Sequence, residues 1–239
     1  MRVLFLVIAS HSDHYDQLRA QWERHLQSWP ANTDVYFMYG DPKLNSDHVI
    51  VGHDLTFCMP ESYIPGLFRK TMRALQLLPL RQYDWVVRTN LSTIFHINRF
   101  IKLLATLNRN QAYASSIIKA PAWPQLPLFP VGFCIVLPTH TAQQVLARSH
   151  AVVRKLHRMV PKTTQGVVDD VLFGVILSAL RVPLASLAQH TINVFGRNPQ
   201  QRELHGKCIV RCRDAGSDAH RSAVELPIWN ELVRRWSRP

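Results

Sequence analysis

The chain has 239 residues, 47% of them hydrophobic, enough for one large α/β domain with a buried core or for two small domains. With 28 Lys and Arg against 16 Asp and Glu, its formal charge is +12, which points to acidic partners: phosphates, nucleic acid or an anionic membrane surface. The basic residues are scattered, with modest concentrations over 148–158 and 197–213 and at Arg234, Arg235 and Arg238, and no nucleic-acid module is recognisable, so nucleic acid is not an expected partner.

The first element is the apolar run Val3-Leu4-Phe5-Leu6-Val7-Ile8-Ala9-Ser10. It is short and runs straight into His11-Ser12-Asp13-His14, which favours a first core strand over a signal-peptide core. A helix follows over roughly 13–28, with Tyr15, Leu18, Trp22 and Leu26 on one face. Asp34–Gly40 reads as a second strand and His48–Gly52 as a short third. Leu67, Thr71, Ala74, Leu75 and Leu78 predict a helix over 65–78. A strand over 84–90 and a helix over 98–108 come next. The second half opens with a strand near 112–118. The segment Pro121–Pro130 holds four prolines, which remove amide donors and exclude helix or central strand. Strand 132–138 and a basic amphipathic helix over 140–158 follow. Val168, Val171, Leu172, Val175, Ile176 and Leu180 predict a helix over 169–180. The last 45 or so residues read as polar and irregular, closing with a short helix near 226–236. Alternating strands and helices predict a mostly parallel sheet covered on both faces.

No apolar run reaches the roughly 18–20 residues that span a bilayer. Cys58, Cys134, Cys208 and Cys212 form no CxxC pair and suit reduced thiols in a cytosol. Neither GxGxxG after the first strand nor GxxxxGK[ST] is present, so dinucleotide dehydrogenases and P-loop NTPases lose their main signal. HExxH and paired Cys/His spacings are absent as well.

Four groups could carry chemistry. The run Tyr83-Asp84-Trp85-Val86-Val87-Arg88-Thr89-Asn90-Leu91-Ser92 is an apolar strand that ends abruptly in polar residues, and ligands bind at that end of open α/β sheets. An ordinary strand-to-loop junction is the plain alternative. Asp169 and Asp170 open an apolar helix. They either complement the helix dipole, worth a few tenths to about 1 kcal/mol, or place one carboxylate in a cleft as a general base, since adjacent helical residues point about 100° apart. Glu61-Ser62-Tyr63 precedes Arg69-Lys70-Thr71 on a helix, where a lysine is most often solvated. His205, Lys207, Arg211 and Arg213 either cover phosphate or are solvated.

Several of these pieces, in this order, resemble glycosyltransferases of the β1,3-galactosyltransferase and fringe type, and compact relatives in bacteria and large algal viruses more closely still. The matching features are a first strand ending in Ser10, a helix with Arg19 and Trp22, the aromatic strand DVYFMYG, and Glu61-Ser62-Tyr63 with Leu67 and Lys70-Thr71. They continue with YDWVVRTNLS, GFCIVLPTHTAQQVL and Asp169-Asp170-Val171-Leu172-Phe173-Gly174. The resemblance covers residues 1 to about 195. It implies a single domain of GT-A type, Rossmann-like, with a nucleotide-binding half over 1–110, an acceptor and catalytic half over 111–195 and a basic tail over 196–239. It implies inverting transfer of a hexosyl group from a nucleotide-sugar, a UDP-sugar by preference, to a hydroxyl of a glycan or glycoconjugate. Asp170 would be the base, with Asp169 beside it. Ser10 and His11 would line the base and ribose pocket, Lys70 would stand near the nucleotide, and Gly132 would let the backbone approach the donor sugar. The proline-rich loop with Trp123 and Phe129 would meet the acceptor. The implied setting is the cytoplasm, peripheral to an inner membrane face.

The departure from the family is at the strand end. The acidic triplet that would chelate Mn²⁺ is absent, and Arg88, Thr89, Asn90 and Ser92 stand there instead. Hard divalent ions prefer carboxylates. A metal-independent enzyme is therefore slightly preferred, with Arg88, Lys70, Lys207 or Arg211 neutralising the leaving diphosphate. Weak binding of Mn or Mg through Asn90 and the substrate's phosphates is the alternative. Two other functions stay open: a transferase fold that has lost catalysis and serves as a binding or scaffold subunit, and a basic protein that binds nucleic acid or a membrane surface through its charge.

Overall fold

The computed structural model describes the chain except residues 63–65, 120–123, 125, 132, 160–168, 196–198, 215 and 237–239, and except the side chains of 155–159 and 201. In chain order the elements are β1 (Val3–Ile8), α1 (Asp13–Leu26), β2 (Thr33–Gly40), β3 (His48–Val51), β4 (Asp54–Phe57), α2 (Gly66–Leu77), β5 (Trp85–Asn90), β6 (Thr93–Phe95) and α3 (Ile97–Thr106). They continue with β7 (Ala112–Ala114), β8 (Ile117–Ile118), β9 (Phe129–Pro130), β10 (Cys134–Pro138), α4 (Thr139–Met159), α5 (Asp169–Ala179), β11 (Leu184–Ser186), β12 (Thr191–Val194), β13 (Ile209–Cys212) and α6 (Asp218–Trp236).

Among the described residues, eight strands form the main sheet in the order β11-β7-β10-β5-β1-β2-β4-β3. Strand β1 is flanked in parallel by β2 and β5, with Ile8 opposite both Met38 and Asn90. β2 and β4, and β11 and β7, also pair in parallel, while β10 and β3 run antiparallel to their neighbours. The chain leaves β1 toward β2 and later returns to the other side of β1 as β5. The carboxyl ends of β1 and β5 therefore form the switch point where such sheets open a crevice.

Both faces of the sheet are buried, which is why β1 is apolar without interruption. Val3, Phe5 and Val7 join one core with Leu18 and Trp22 of α1, Phe100 of α3 and Trp229 of α6. Leu4 and Leu6 join the opposite core with Phe68 and Leu75 of α2, Val145 of α4 and Phe173 of α5. Helix α1 starts where Ser12 caps it, its side chain accepting from the Tyr15 amide at 3.3 Å. Trp22 donates from Nε1 to the Leu91 carbonyl at 3.0 Å and so fixes the loop that follows β5.

The tail is more ordered than its composition predicts. β12 and β13 join β6 in a three-stranded sheet, and α6 has 19 residues rather than the short helix expected near 226–236. Pro227 lies inside α6, and Glu225, Ile228, Trp229 and Leu232 form its buried face. Strands β4 and β6, of four and three residues, were not expected. Phe129–Pro130 pairs with Ile117–Ile118 as a two-residue ladder, short enough to tolerate a proline. The first strand ends at Ile8, so Ala9 and Ser10 leave the sheet.

Candidate functional site

At the switch point a cavity of about 690 Å³ opens above β1 and β5. Ala9 and Ser10 form its wall after β1, and Arg88, Asn90, Leu91 and Ser92 its wall at the end of β5. Asp169 and Asp170 reach it from the first turn of α5. Arg211, Arg213 and Asp214 come from β13 and the residues after it, Arg221 from α6 and Tyr15 from α1.

Arg88 organises the acidic wall. It lies on β5 two residues after Val86 of the α5-side core and is 3% exposed. Its Nη2 donates to Asp169 Oδ2, and its Nη1 lies 4.0 Å from Asp170 Oδ1. The Asp169 side chain is 5% exposed and that of Asp170 is 24% exposed. The adjacent carboxylates thus differ in setting: one is buried against a guanidinium, and the other is open to the cavity. Both also complement the amino end of α5.

Lys70 stands behind the cavity rather than in its lining. Its side chain is 1% exposed, and its Nζ donates to Glu61 Oε1 at 2.6 Å and to the Ala9 carbonyl at 2.8 Å. Glu61 Oε2 in turn accepts from the Gly40 amide at 2.9 Å. The pair therefore ties α2 to the ends of β1 and β2, while Glu61 itself lines the cavity. Burial lowers the Lys70 pKa, and the Glu61 carboxylate opposes that shift.

The polar residues at the end of β5 are committed locally. Thr89 Oγ1 donates to the Phe133 carbonyl at 2.7 Å. Asn90 Oδ1 accepts from Ser92 Oγ at 2.9 Å and from Thr93 Oγ1 at 2.8 Å. The Asn90 oxygen already has two donors, and the Asp169 carboxylate is held by Arg88. Among the described residues no group of three or more His, Cys, Asp or Glu could hold a metal ion. This donor set does not fit the divalent ion that the family resemblance implies at the strand end.

The basic wall is held by a buried network. Arg221 donates from Nε to Glu225 Oε1 at 3.0 Å and from Nη1 to the Tyr15 hydroxyl at 3.3 Å. Glu225 is fully buried and also meets His14 Nε2 at 3.0 Å and the Asp214 amide at 2.9 Å. Burial holds His14 below the ordinary histidine value even beside this carboxylate, because Arg221 shares it. Arg211 lies with its guanidinium 4.9 Å from the Phe133 ring centroid.

Of the residues singled out from sequence, Ser10, Arg88, Asn90, Ser92, Asp169 and Asp170 come together here, with Arg211 and Arg213. His11 does not line the cavity. It is exposed, stacked on Tyr39 at 4.5 Å between ring centroids. Lys207 is not in the lining either, and its Nζ donates to the Gln189 carbonyl at 2.7 Å. Gly132, Tyr63 and Trp123 lie outside the described residues. Sequence reasoning missed Tyr15, Asp214 and Arg221. The Arg221–Glu225 pair at i,i+4 was a legible signal, but its long-range partners His14 and Tyr15 lie more than 200 residues away.

No protein-family model matches the sequence, and no curated protein matches it. Solved structures do. The chain is similar to the crystal structure of a glycosyltransferase involved in the glycosylation of the major capsid of PBCV-1. The match has a TM-score of 0.56 at 10% sequence identity and covers 95% of this chain and 100% of that one. The two share an α/β fold of glycosyltransferase type, similar to GT-A, over essentially their whole length.

Proposed function

We propose that the protein is an inverting glycosyltransferase of the β1,3-galactosyltransferase and fringe type. It moves a hexosyl group from a nucleotide-sugar, a UDP-sugar by preference, to a hydroxyl of a glycan or glycoconjugate. The observation that carries this reading is the Asp170 carboxylate, 24% exposed in the lining of the switch-point cavity of a transferase-type fold, beside a buried Arg88–Asp169 pair. In the proposed step Asp170 takes the proton of the acceptor hydroxyl. The acceptor oxygen then bonds to the anomeric carbon from the face opposite the diphosphate, and the bond from that carbon to the diphosphate oxygen breaks with its electron pair on the leaving group. Arg211, Arg213 and Arg221 supply cations to the leaving diphosphate by charge-assisted hydrogen bonds. No step is routed through a metal ion.

Substituting Asp170→Asn tests the assignment. We expect turnover to fall at least 100-fold, the order of a lost general base, while titration calorimetry gives a donor affinity within about threefold of the parent. Full activity in this variant overturns the base. Failure to bind any UDP-, GDP- or dTDP-sugar overturns the wider reading. One observation favours a second reading, a fold that binds donors without turnover: Arg88 approaches both carboxylates. An assay of donor hydrolysis and transfer separates the two. Among the described residues no helix is long and apolar enough to cross a membrane. The proposed setting remains cytoplasmic, at a membrane face.

A further inference from the structure

The cations of the carboxyl-terminal part divide between two places. Among the described residues that line the switch-point cavity, four arginines, Arg88, Arg211, Arg213 and Arg221, stand among four carboxylates, those of Glu61, Asp169, Asp170 and Asp214. A second cavity, also of about 690 Å³, is lined chiefly by His96, Arg99, Arg202, His205, Arg235 and Trp236. None of its described lining residues is acidic. The β6–β13 ladder separates the two. Thr93 pairs with Arg211 at the switch-point end, and Phe95 pairs with Ile209 at the end next to His96.

Three features distinguish this second cavity from a solvated basic face. Two of its arginines are anchored: Arg99 Nη1 donates to the Lys207 carbonyl at 3.5 Å, and Arg235 donates to the Pro199 carbonyl at 3.2 Å and to Glu231 at 2.7 Å. Helix α3 begins in its wall. His96 is the N-cap, makes no side-chain cap hydrogen bond, and is followed by no acidic residue in the first turn. The first amides of α3 therefore add their positive end to the arginines. The half-buried Trp236 ring, 5.2 Å from that of His96, supplies a flat apolar side. Burial and the neighbouring Arg99 lower the His96 pKa, and a neutral imidazole still has one N–H to donate.

We propose that this second cavity binds a phosphoryl group, carried as a phosphate monoester or diphosphate whose attached group lies against Trp236. Guanidinium forks and helix amides are the donors that match phosphate oxygens.

Inorganic pyrophosphate is the probe, and the indole N–H signal of Trp236, assigned with Trp236→Phe, is the readout by NMR. Arg99 and Arg202 are exposed, so Arg99→Ala/Arg202→Ala is expected to keep the parent's fold, checked by its far-UV circular dichroism. Pyrophosphate is expected to shift the Trp236 signal in the parent chain and to require at least tenfold more ligand in the double variant. UDP affinity should stay within twofold. An unmoved Trp236 signal, or an unchanged titration in the double variant, overturns the proposal. Flotation with phosphatidylcholine vesicles, with and without phosphatidylglycerol, identifies the source. Retention on the anionic vesicles that is lost in the double variant assigns a lipid headgroup; a pyrophosphate response without retention assigns a soluble phosphate. If UDP fails to bind while pyrophosphate moves Trp236, the sugar-transfer reading falls and this one stands.

Discussion

Arg88 and Asp169 are both almost wholly buried, and each supplies the charge that makes the other's burial tolerable. Removing the cation alone leaves a carboxylate in the interior at the amino end of α5. Arg88→Met is therefore expected to lower unfolding stability by about 3–5 kcal/mol, the cost of an orphaned buried charge. Adding Asp169→Leu should restore most of that loss, because an apolar pair of similar volume needs no compensation. Urea unfolding of the two variants checks this, and a double variant no more stable than Arg88→Met would show that packing, not charge, is what Arg88 supplies. The same residue shows how far the sequence could be read. Its place at a ligand-facing strand end follows from the run Trp85-Val86-Val87 and the polar residues after it. Its partner does not, because Asp169 lies 81 residues away. From sequence alone Arg88 is a cation available to a diphosphate. In the fold it holds two carboxylates, and the more exposed cations are those of the tail.

Helix α5 carries the motif Asp169-Asp170-Val171-Leu172-Phe173-Gly174, and its ends have different tasks. The aspartates open the helix at the cavity, and Gly174 lets the helix approach β9. A Cβ on Gly174 would meet the Leu128 carbonyl oxygen and Phe129 Cα, each at 2.7 Å. Those atoms are backbone and cannot swing away, so overpacking outweighs the roughly 1 kcal/mol that alanine gains over glycine within a helix. Gly174→Ala should cost a net 1–2 kcal/mol or so, and about 2–8 °C in Tm for a chain of this size; a Tm equal to or above the parent's would show that β9 yields. At this scale the sequence was most legible where periodicity ran long. The helix expected over 169–180 is observed over Asp169–Ala179, and that over 13–28 over Asp13–Leu26. Strands of three or four residues, such as β6 and β4, are too short to show alternation against turn residues. Most of α6 went unread because Pro227 reads as a breaker and its buried face includes Glu225. Among the described residues that glutamate is satisfied by Arg221 of its own helix, by the Asp214 amide and by His14, which the fold alone brings to it.

Across the molecule, α1 and α6 are joined through buried histidines, and this makes stability depend on pH. His14 meets Glu225 and Ser222 of α6, and His25 packs edge-on against Trp229 of α6. His25 Nε2 lies 2.8 Å from the Phe95 carbonyl, and its buried Nδ1 has no hydrogen-bond partner among the described residues. An imidazole so placed donates from Nε2 and has nowhere to put a second proton. Burial accordingly lowers the pKa of His14, His25 and His96 below 6.5. The unfolded chain therefore binds more protons than the folded one just below that value, and stability rises with pH across this window. The contribution is complete above about pH 6.5 and is lost as pH falls from there through the folded-state values. Asp84, whose pKa is also lowered, acts only below its ordinary 3.8, so the two windows separate. The urea midpoint should be flat between about pH 8 and pH 7 and should fall progressively toward about pH 5. His25→Gln keeps a donor for the Phe95 carbonyl but no longer titrates, so its midpoint should fall by less over the same interval, whatever its starting stability. An equal fall in that variant would assign the pH dependence to other groups and leave His25 a packing residue between α1 and α6.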